Sequence, residues 1–283
     1  MRTLENQVAV ITGGSRGLGL AIAETYAREG AAVVIASRSA RSVEAAVQSI
    51  RAQGGRATGL ACDVGDLAQV EALAAHAVSA FGRLDIWVNN AGLSAPYGPT
   101  AHLPSDEFQR VIGTNIVGVY NGSVTALRHF VPQRRGKLIN LLGRGDNQPV
   151  PFQNAYASSK TWVRAFTTAL AREYADCGVG VYAINPGLVT TEMLSQVQAV
   201  VGYEAKLNPL KTVVRILGNP PEVPAARALW IASAATDGRT GLNVQVITPA
   251  FLLSRGVRAA WRWVTRTQEL EMPLNVETVK SVI

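Results

Sequence analysis

Residues 12–19 read TGGSRGLG, and this glycine-rich stretch decides the fold of the chain. It follows a continuous apolar run, Val8 to Ile11, of the kind that a strand buried on both faces requires. It opens the segment Leu18 to Arg28, whose apolar residues recur at helical spacing and which stops before Gly30. Glycines at this junction permit a tight turn and let backbone amides and a helix N-terminus approach a pyrophosphate. The stretch therefore predicts a dinucleotide site.

The alternation of strand and helix continues outward from this turn. Further strands are predicted at 33–36, 57–62, 84–88, 137–142, 179–184 and 244–247. Further helices are predicted at 42–52, 66–81, 105–130, 154–175 and 223–233, the second of them with Asp66 as its N-cap. Such alternation implies right-handed crossovers and a parallel sheet covered on both sides. We expect a single α/β domain over residues 1–250, a Rossmann-type doubly wound parallel sheet in three layers.

Two regions fall outside this alternation. Residues 191–221 look like an insertion over the carboxyl edge of the sheet, where a substrate lid would sit. Residues 251–283 form a C-terminal extension with a basic aromatic stretch at 255–266, which contains Trp261 and Trp263. That stretch could be a membrane-surface or partner helix. We expect instead that the extension packs on the same domain, closing over the cleft, or on a neighbouring subunit.

The end of the second predicted strand discriminates between nicotinamide cofactors. NAD(H) sites of this type usually carry an acidic residue there for the ribose hydroxyls, whereas residues 36–39 read ASRS. Arg38 can pair with a 2′-phosphate, and Arg16 within the glycine turn can reach the same place. We therefore expect NADP(H), with NAD(H) the less favoured alternative.

Composition excludes several other classes of protein. The chain has 283 residues, 48% hydrophobic and 17% charged, as in an ordinary globular protein. Two distant cysteines, Cys62 and Cys177, argue against a disulfide scaffold and suit a reducing cytosol. No signal peptide or membrane span is predicted, and no metal site, since the three histidines lack ligand spacing. The net charge of +7 could indicate nucleic acid, but the basic residues are scattered, so we expect none.

Tyr156 and Lys160 form a second chemical pattern, at the start of the helix predicted at 154–175. They are four residues apart and so share one helix face. A free phenol has a pKa of about 10, and a nearby ammonium favours its ionised form. The pair can act as a general acid and base, although a Tyr/Lys pair alone is also common on ordinary helix surfaces.

Together with other short motifs, these residues resemble the short-chain dehydrogenase/reductase family over residues 5–248. The family's TGxxxGxG turn matches residues 12–19, and its YxxxK matches Tyr156 and Lys160. Further family elements match, in order, Asp63-Val64, Asn89-Asn90-Ala91-Gly92, Asn115 and the loop NPGLVTT at 185–191. The resemblance implies hydride transfer between a nicotinamide and a carbonyl or alcohol carbon.

The resemblance also assigns roles to individual residues. Tyr156 would exchange the proton with the substrate oxygen, Lys160 would bind the nicotinamide ribose and lower the Tyr156 pKa, and Asn115 would relay protons through a water. The Asp63 carboxylate would contact the adenine amino group. The residues expected to bind the cofactor are Gly13, Ser15, Arg16, Gly17, Leu18, Gly19, Ser37, Arg38, Asp63, Val64, Asn90, Ala91, Gly92, Tyr156, Lys160, Pro186, Gly187, Val189 and Thr191.

The chain departs from the family at Gly143, where the family has a serine that holds the substrate oxygen. Losing such a donor typically costs about 10²- to 10³-fold in turnover unless it is replaced. Arg144 or Asn147 in the following loop could supply a substitute donor. Alternatively, the substrate brings its own polarisation, as an iminium or an enone does, or the protein binds NADP(H) without efficient turnover. Restoring the hydroxyl with Gly143→Ser is expected to raise activity on simple ketones.

We expect an NADP(H)-dependent carbonyl reductase, or the reverse alcohol dehydrogenase, acting on a small to medium, fairly apolar metabolite. The apolar lid residues, with Met193 among them, motivate the apolar substrate, and Gly143, Arg144 and Asn147 complete the expected substrate contacts. The alternatives are an imine or enone reductase and a non-catalytic NADP(H)-binding regulatory protein. The family's habit implies a homodimer or homotetramer.

Overall fold

A computed structural model describes residues 2–248, 252 and 275–283 of the chain. The strands within these residues are β1 (Val8–Thr12), β2 (Ala32–Ser37), β3 (Arg56–Ala61), β4 (Ile86–Asn89), β5 (Lys137–Leu141), β6 (Gly180–Asn185), β7 (Gln196–Val200), β8 (Asn243–Gln245) and β9 (Asn275–Val279). The α-helices are α1 (Gly17–Arg28), α2 (Ala40–Ala52), α3 (Leu67–Phe81), α4 (Ser105–Ile112), α5 (Gly118–Phe130), α6 (Asn154–Glu173), α7 (Glu192–Ser195), α8 (Asn208–Leu217) and α9 (Glu222–Ala232).

Seven strands form one sheet in the order β3-β2-β1-β4-β5-β6-β8, and every pairing in it is parallel. The direction of winding reverses between β1 and β4. In such sheets ligands bind in the crevice outside the carboxyl ends of the strands at this switch point. The predicted fold class, a doubly wound α/β sheet of Rossmann type, is confirmed.

Two buried apolar clusters, one on each face of the sheet, give the molecule its three layers. The first cluster joins α1, α2 and α9 to residues such as Ala9 and Ile11 of β1. The second joins α3, α5 and α6 to the alternate residues Val8 and Val10. Each fully buried branched or aromatic side chain contributes about 1.5–3 kcal/mol. The run Val8 to Ile11 is apolar throughout because both faces of β1 are covered.

Local signals place the ends of these elements. The Asp66 side chain accepts hydrogen bonds from the amides of Ala68 and Gln69, as predicted for the N-cap of α3. The single helix predicted over 105–130 is interrupted, because a π-helical turn, Gly113–Val117, joins α4 to α5. Such turns insert one extra residue into a helix and are frequent at functional sites. No helix in the part of the chain that the structure describes is long and apolar enough to cross a membrane.

The region predicted as a lid is a structured insertion. It holds α7, β7, a short 3-10 turn (Glu204–Leu207) and α8. Its strand β7 pairs in parallel with β9, which comes from the C-terminal extension. The sequence did not predict this second sheet, because the two strands lie far apart in the chain and β9 carries no strong apolar pattern. The basic stretch 255–266, with Trp261 and Trp263, lies outside the described residues.

Candidate active site

The glycine turn is bound to the end of β4 by a set of short hydrogen bonds. The Thr12 hydroxyl donates to Val88 O at 3.2 Å and accepts from the amides of Asn90 at 3.1 Å and Ala91 at 3.2 Å. The Asn90 side chain donates to Thr12 O at 3.0 Å and Gly13 O at 3.1 Å. These contacts fix the turn at the switch point of the sheet.

The turn requires glycine at particular positions. Gly13 has φ 63° and Gly17 has φ 55°, in the left-handed region that side chains disfavour. A Cβ on Gly19 would overlap Gly13 O and the Asn90 side chain. The turn therefore packs closely while its amides and the start of α1 border the crevice, which is the cradle that a pyrophosphate needs.

The expected 2′-phosphate corner lies beyond the end of β2. The Ser37 hydroxyl is buried and has no hydrogen-bond partner within the described part of the chain, which leaves a polar group for a ligand to satisfy. Arg38 beside it is exposed. Arg16 lies 2.8 Å from Glu192 of α7, so an arginine expected to bind phosphate is paired with a carboxylate. Ser37 and Arg38 therefore remain at this corner as the expected ribose contacts.

The expected adenine side lies after β3. Asp63 is exposed and its Oδ1 accepts from the amide of Gly65 at 2.9 Å, while Val64 is 7% exposed. The loop 185–191 lies on the other side of the crevice, where the Asn185 side chain accepts from the amide of Gly187 at 3.0 Å. A Cβ on Gly17 of the glycine turn would lie 3.3 Å from the Thr191 side chain. This loop therefore lies beside the glycine turn.

Tyr156 and Lys160 lie in the first turns of α6. The Lys160 Nζ is 5.7 Å from the centre of the Tyr156 ring and donates to Leu141 O at 3.0 Å. Burial lowers the pKa of Lys160 to about 8. Burial, together with the charge of Asp146, raises the pKa of Tyr156 to about 12. Lys160 is not among the causes of this shift, and the expected lowering of the Tyr156 pKa by Lys160 stays a prediction.

Asn115 stands at the centre of the π-helical turn and is fully buried. Its side chain accepts from Leu93 N at 2.8 Å and donates to Leu93 O at 2.9 Å and to the Ser159 hydroxyl at 3.0 Å. It therefore ties the loop after β4 to α6. Gly92 lies between them, since a Cβ there would stand 3.5 Å from Asn115 Oδ1 and 3.7 Å from Lys160 Nζ.

Gly143 faces the Tyr156 hydroxyl directly. A Cβ built on Gly143 would overlap that oxygen, so the phenol occupies the space that a serine side chain would take. This changes the expectation for Gly143→Ser, since the new side chain would displace Tyr156 before it could add a hydrogen bond. Arg144 and Asn147 are both exposed on the turn that follows, as is Met193 on α7.

Two features of the site were missed by the sequence analysis. Asp146, which the sequence analysis did not single out, is buried. An aromatic wall also lies beside the start of α6, with ring centres 5.5 Å apart for Tyr97 and Phe152 and 5.9 Å for Phe152 and Tyr203. The single aromatic residues in three separate loops carried no periodic signal. Phe152 has φ 65°, a strained backbone position for a bulky side chain.

The C-terminal residues are attached to this wall. The Tyr97 amide donates to Gln198 O of β7 at 2.7 Å, and the Val201 amide donates to Val279 O of β9 at 3.0 Å. His102 Nδ1 lies 3.0 Å from the Ser281 hydroxyl. Strand β9 therefore holds β7, and β7 holds the loop that carries Tyr97.

No group of His, Cys, Asp and Glu side chains within the described ranges could hold a metal ion. Cys62 and Cys177 are free thiols, and Cys62 is buried.

Comparison with known families gives one match over most of the described chain. Residues 7–201 match the family model described as short chain dehydrogenase. The 3beta-hydroxysteroid dehydrogenase 1 of Eggerthella lenta is 35% identical over 260 residues, which cover 89% of this chain and 98% of the relative.

Two solved structures share the fold over nearly their whole length. Levodione reductase superposes with a TM-score of 0.77 at 28% identity, over 86% of this chain and 96% of that chain. A protein assigned as an NAD(P) dependent gluconate 5-dehydrogenase of Beutenbergia cavernae, with NADP bound at low occupancy, gives a TM-score of 0.75 at 28% identity. That superposition covers 89% of this chain and 98% of the neighbour.

Proposed function

This chain belongs to the short-chain dehydrogenase family, and on that premise we propose that it is an NADP(H)-dependent carbonyl reductase, or the reverse alcohol dehydrogenase. The observation that carries the proposal is the Tyr156 hydroxyl at the carboxyl edge of the sheet, with Lys160 Nζ 5.7 Å from its ring and the glycine turn across the crevice. A partly buried phenol in this position can give a proton to a substrate oxygen or take one from it.

The roles of the chain's residues follow from their positions. When bound, the nicotinamide supplies a hydride to the substrate carbon or accepts one from it. Tyr156 transfers the proton to or from the substrate oxygen. Lys160 lies on the same helix face and is held by Leu141 O, in reach of a ribose. Asn115 holds the loop after β4 in place and so keeps the floor of the crevice rigid.

NADP(H) is preferred in this proposal because the corner after β2 has no carboxylate and carries Arg38. Arg38→Ser is expected to raise the Kd for NADPH about tenfold to a hundredfold, because a charge-assisted contact with the 2′-phosphate is lost. The Kd for NADH should change less than about twofold, since NADH lacks that phosphate. Titration of nicotinamide fluorescence measures both constants. Arg172→Ala, an exposed arginine at the far end of α6, is the matched control. Equal weakening of both cofactors would contradict the assignment of Arg38.

A cyclic, fairly apolar substrate is supported by the aromatic wall of Tyr97, Phe152 and Tyr203. Flat apolar rings stack well on such a surface. Two similar proteins, levodione reductase and 3beta-hydroxysteroid dehydrogenase 1, are named after ring compounds. Their names agree with a cyclic substrate for this chain. An imine or enone is the second candidate, because Gly143 supplies no hydroxyl to a carbonyl oxygen.

We also propose that the C-terminal residues 275–283 close the substrate cleft by holding the lid strand β7. Ending the chain after residue 274 is expected to raise the KM for the ketone substrate at least about tenfold, because β7 and the Tyr97 loop lose their support. The Kd for NADPH should stay within about twofold, since β9 pairs with β7, whereas β2 pairs with β1 and β3. Steady-state kinetics and the fluorescence titration measure the two effects. Ending the chain after residue 280 keeps β9 and is the control, and an unchanged KM in the shorter chain would remove β9 from the site.

We also propose that the chain forms a homodimer or homotetramer. Phe108, Val117 and Tyr120 on α4, the π-helical turn and α5 are exposed apolar side chains, and Trp162 stacks on Phe166 of α6 nearby at 4.6 Å. A second copy of this chain would cover such a face. Sedimentation at micromolar concentration tests it. We place the protein in a reducing cytosol, with no nucleic acid partner.

A further inference from the structure

Asp146 is a buried carboxylate in the turn that follows β5. It is 4% exposed, and its Oδ1 accepts from the Asn185 side chain at 3.1 Å. Its Oδ2 makes no hydrogen bond within the described residues, although Arg164 Nη1 stands 3.5 Å away. Burying a carboxylate with one oxygen left incompletely satisfied costs free energy, so its presence in an active-site turn needs a reason.

Asp146 lies in a turn that hydrogen bonds and close packing hold in place. The Asp146 amide donates to Gly143 O at 3.2 Å, and the same Asn185 side chain that holds Oδ1 donates to Gly143 O at 3.3 Å. The Thr161 hydroxyl of α6 donates to Gly145 O. Gly145 has φ 96°, and a Cβ on it would overlap Ala157 of α6. The turn is therefore held against both β6 and α6.

The turn connects Asp146 to the phenol through Gly143, whose Cα faces the Tyr156 hydroxyl. The charged groups around this phenol can be named from each element packed against it. The turn contributes Asp146 and the exposed Arg144, and α6 contributes Lys160 and Arg164, the latter as the ion-pair partner of Asp146. Asn115 and Asn185 face the site as neutral side chains. The charge of Asp146 adds to burial in raising the pKa of Tyr156.

We propose that Asp146 is a positioning residue for Tyr156: its buried carboxylate fixes the Gly143 turn against the phenol and places a negative charge in that turn. The proposal rests on the proposed function in so far as Tyr156 is the proton donor to substrate. The Tyr156 phenol fills the space that a serine side chain at position 143 would need. The turn that carries Gly143 also carries the negative charge of Asp146.

The first test is the pH profile of reduction in Asp146→Asn. Reduction needs a protonated phenol, so the rate falls as pH rises through the point where Tyr156 ionises. Removing the negative charge stabilises the phenolate, and the alkaline limb should move to lower pH by about half a unit or more. A residue that merely supported the fold would lower the rate and leave the limb in place. Asp176→Asn, the same change on an exposed carboxylate, should leave the profile unchanged.

A second readout does not depend on turnover. In protein labelled with ¹³C at the tyrosine ring, the Tyr156 signal is identified by its loss in Tyr156→Phe. At pH 10.5 the ionised fraction of that signal should be larger in Asp146→Asn than in the native chain. An equal fraction and an unmoved limb would overturn the proposal. A larger fraction in a protein that reduces nothing would support the electrostatic role and refute the proposed function.

Should Asp146→Asn fail to fold, Arg164→Met provides the opposite change. It removes the cation whose field partly cancels that of Asp146, so the limb should move to higher pH and the ionised fraction at pH 10.5 should fall. A shift in the same direction as for Asp146→Asn, or no shift, would contradict the assignment.

Discussion

Tyr156→Phe is expected to reduce turnover by about 10²- to 10⁴-fold, because it removes the only hydroxyl that the proposal assigns to proton transfer. The change deletes one oxygen from a partly buried ring and leaves the packing of α6 intact. The Kd for NADPH should stay within about twofold, since Lys160 keeps its contact with Leu141 O. Stopped-flow absorbance of NADPH during a single turnover measures the hydride step directly.

The matched control is Tyr174→Phe, the same change at the opposite end of α6. It should turn over like the native chain. Loss of activity in both variants would indicate a structural effect on the helix. Full activity in Tyr156→Phe would assign the proton donor to another group, with the turn after Gly143 the first place to look.

Gly143→Ser is expected to lower turnover about tenfold to a hundredfold, the reverse of what the sequence alone suggests. A Cβ at this position would overlap the Tyr156 hydroxyl, so the phenol must rotate away from the substrate. Displacing a catalytic group by about 1 Å is enough for an effect of this size. Turnover of a cyclic ketone at saturating NADPH measures it.

Gly143→Ala separates the two effects of the serine, because alanine adds the same Cβ without the hydroxyl. Both variants should be impaired to a similar degree and bind NADPH normally. A serine variant more active than the native chain, beside an impaired alanine variant, would show that Tyr156 can move aside and that a lost hydroxyl limits this site.

The fold was predictable because its signals are local. The apolar run of β1, the glycine turn and the helical spacing of α1 lie within a few dozen residues and need no knowledge of the rest of the chain. The Asp66 cap is equally local. The break in the helix over 105–130 was not predictable, because the π-helical turn is only five residues long and lies between two ordinary helical segments, α4 and α5.

The site was predictable only as far as the family motifs extend. These motifs placed Tyr156, Lys160 and Asn115, but the burial of Asp146 depends on Asn185 and Arg164, which approach it from other elements. A Gly-Asp pair after a strand otherwise has the composition of an exposed turn. The pairing of β7 with β9 depends on two segments that meet only in the folded chain. Long-range contacts of this kind leave no trace in a local pattern.

The most direct test of the central claim is to follow NADPH absorbance while the protein is mixed with cyclic ketones, and with enones and imines alongside. NADPH carrying deuterium at C4 shows whether the hydride reaches the product. The account predicts oxidation of NADPH, deuterium at the product's alcohol carbon, and a kcat/KM at least about tenfold higher for NADPH than for NADH. Tight binding of NADPH with no oxidation across the whole panel would contradict it.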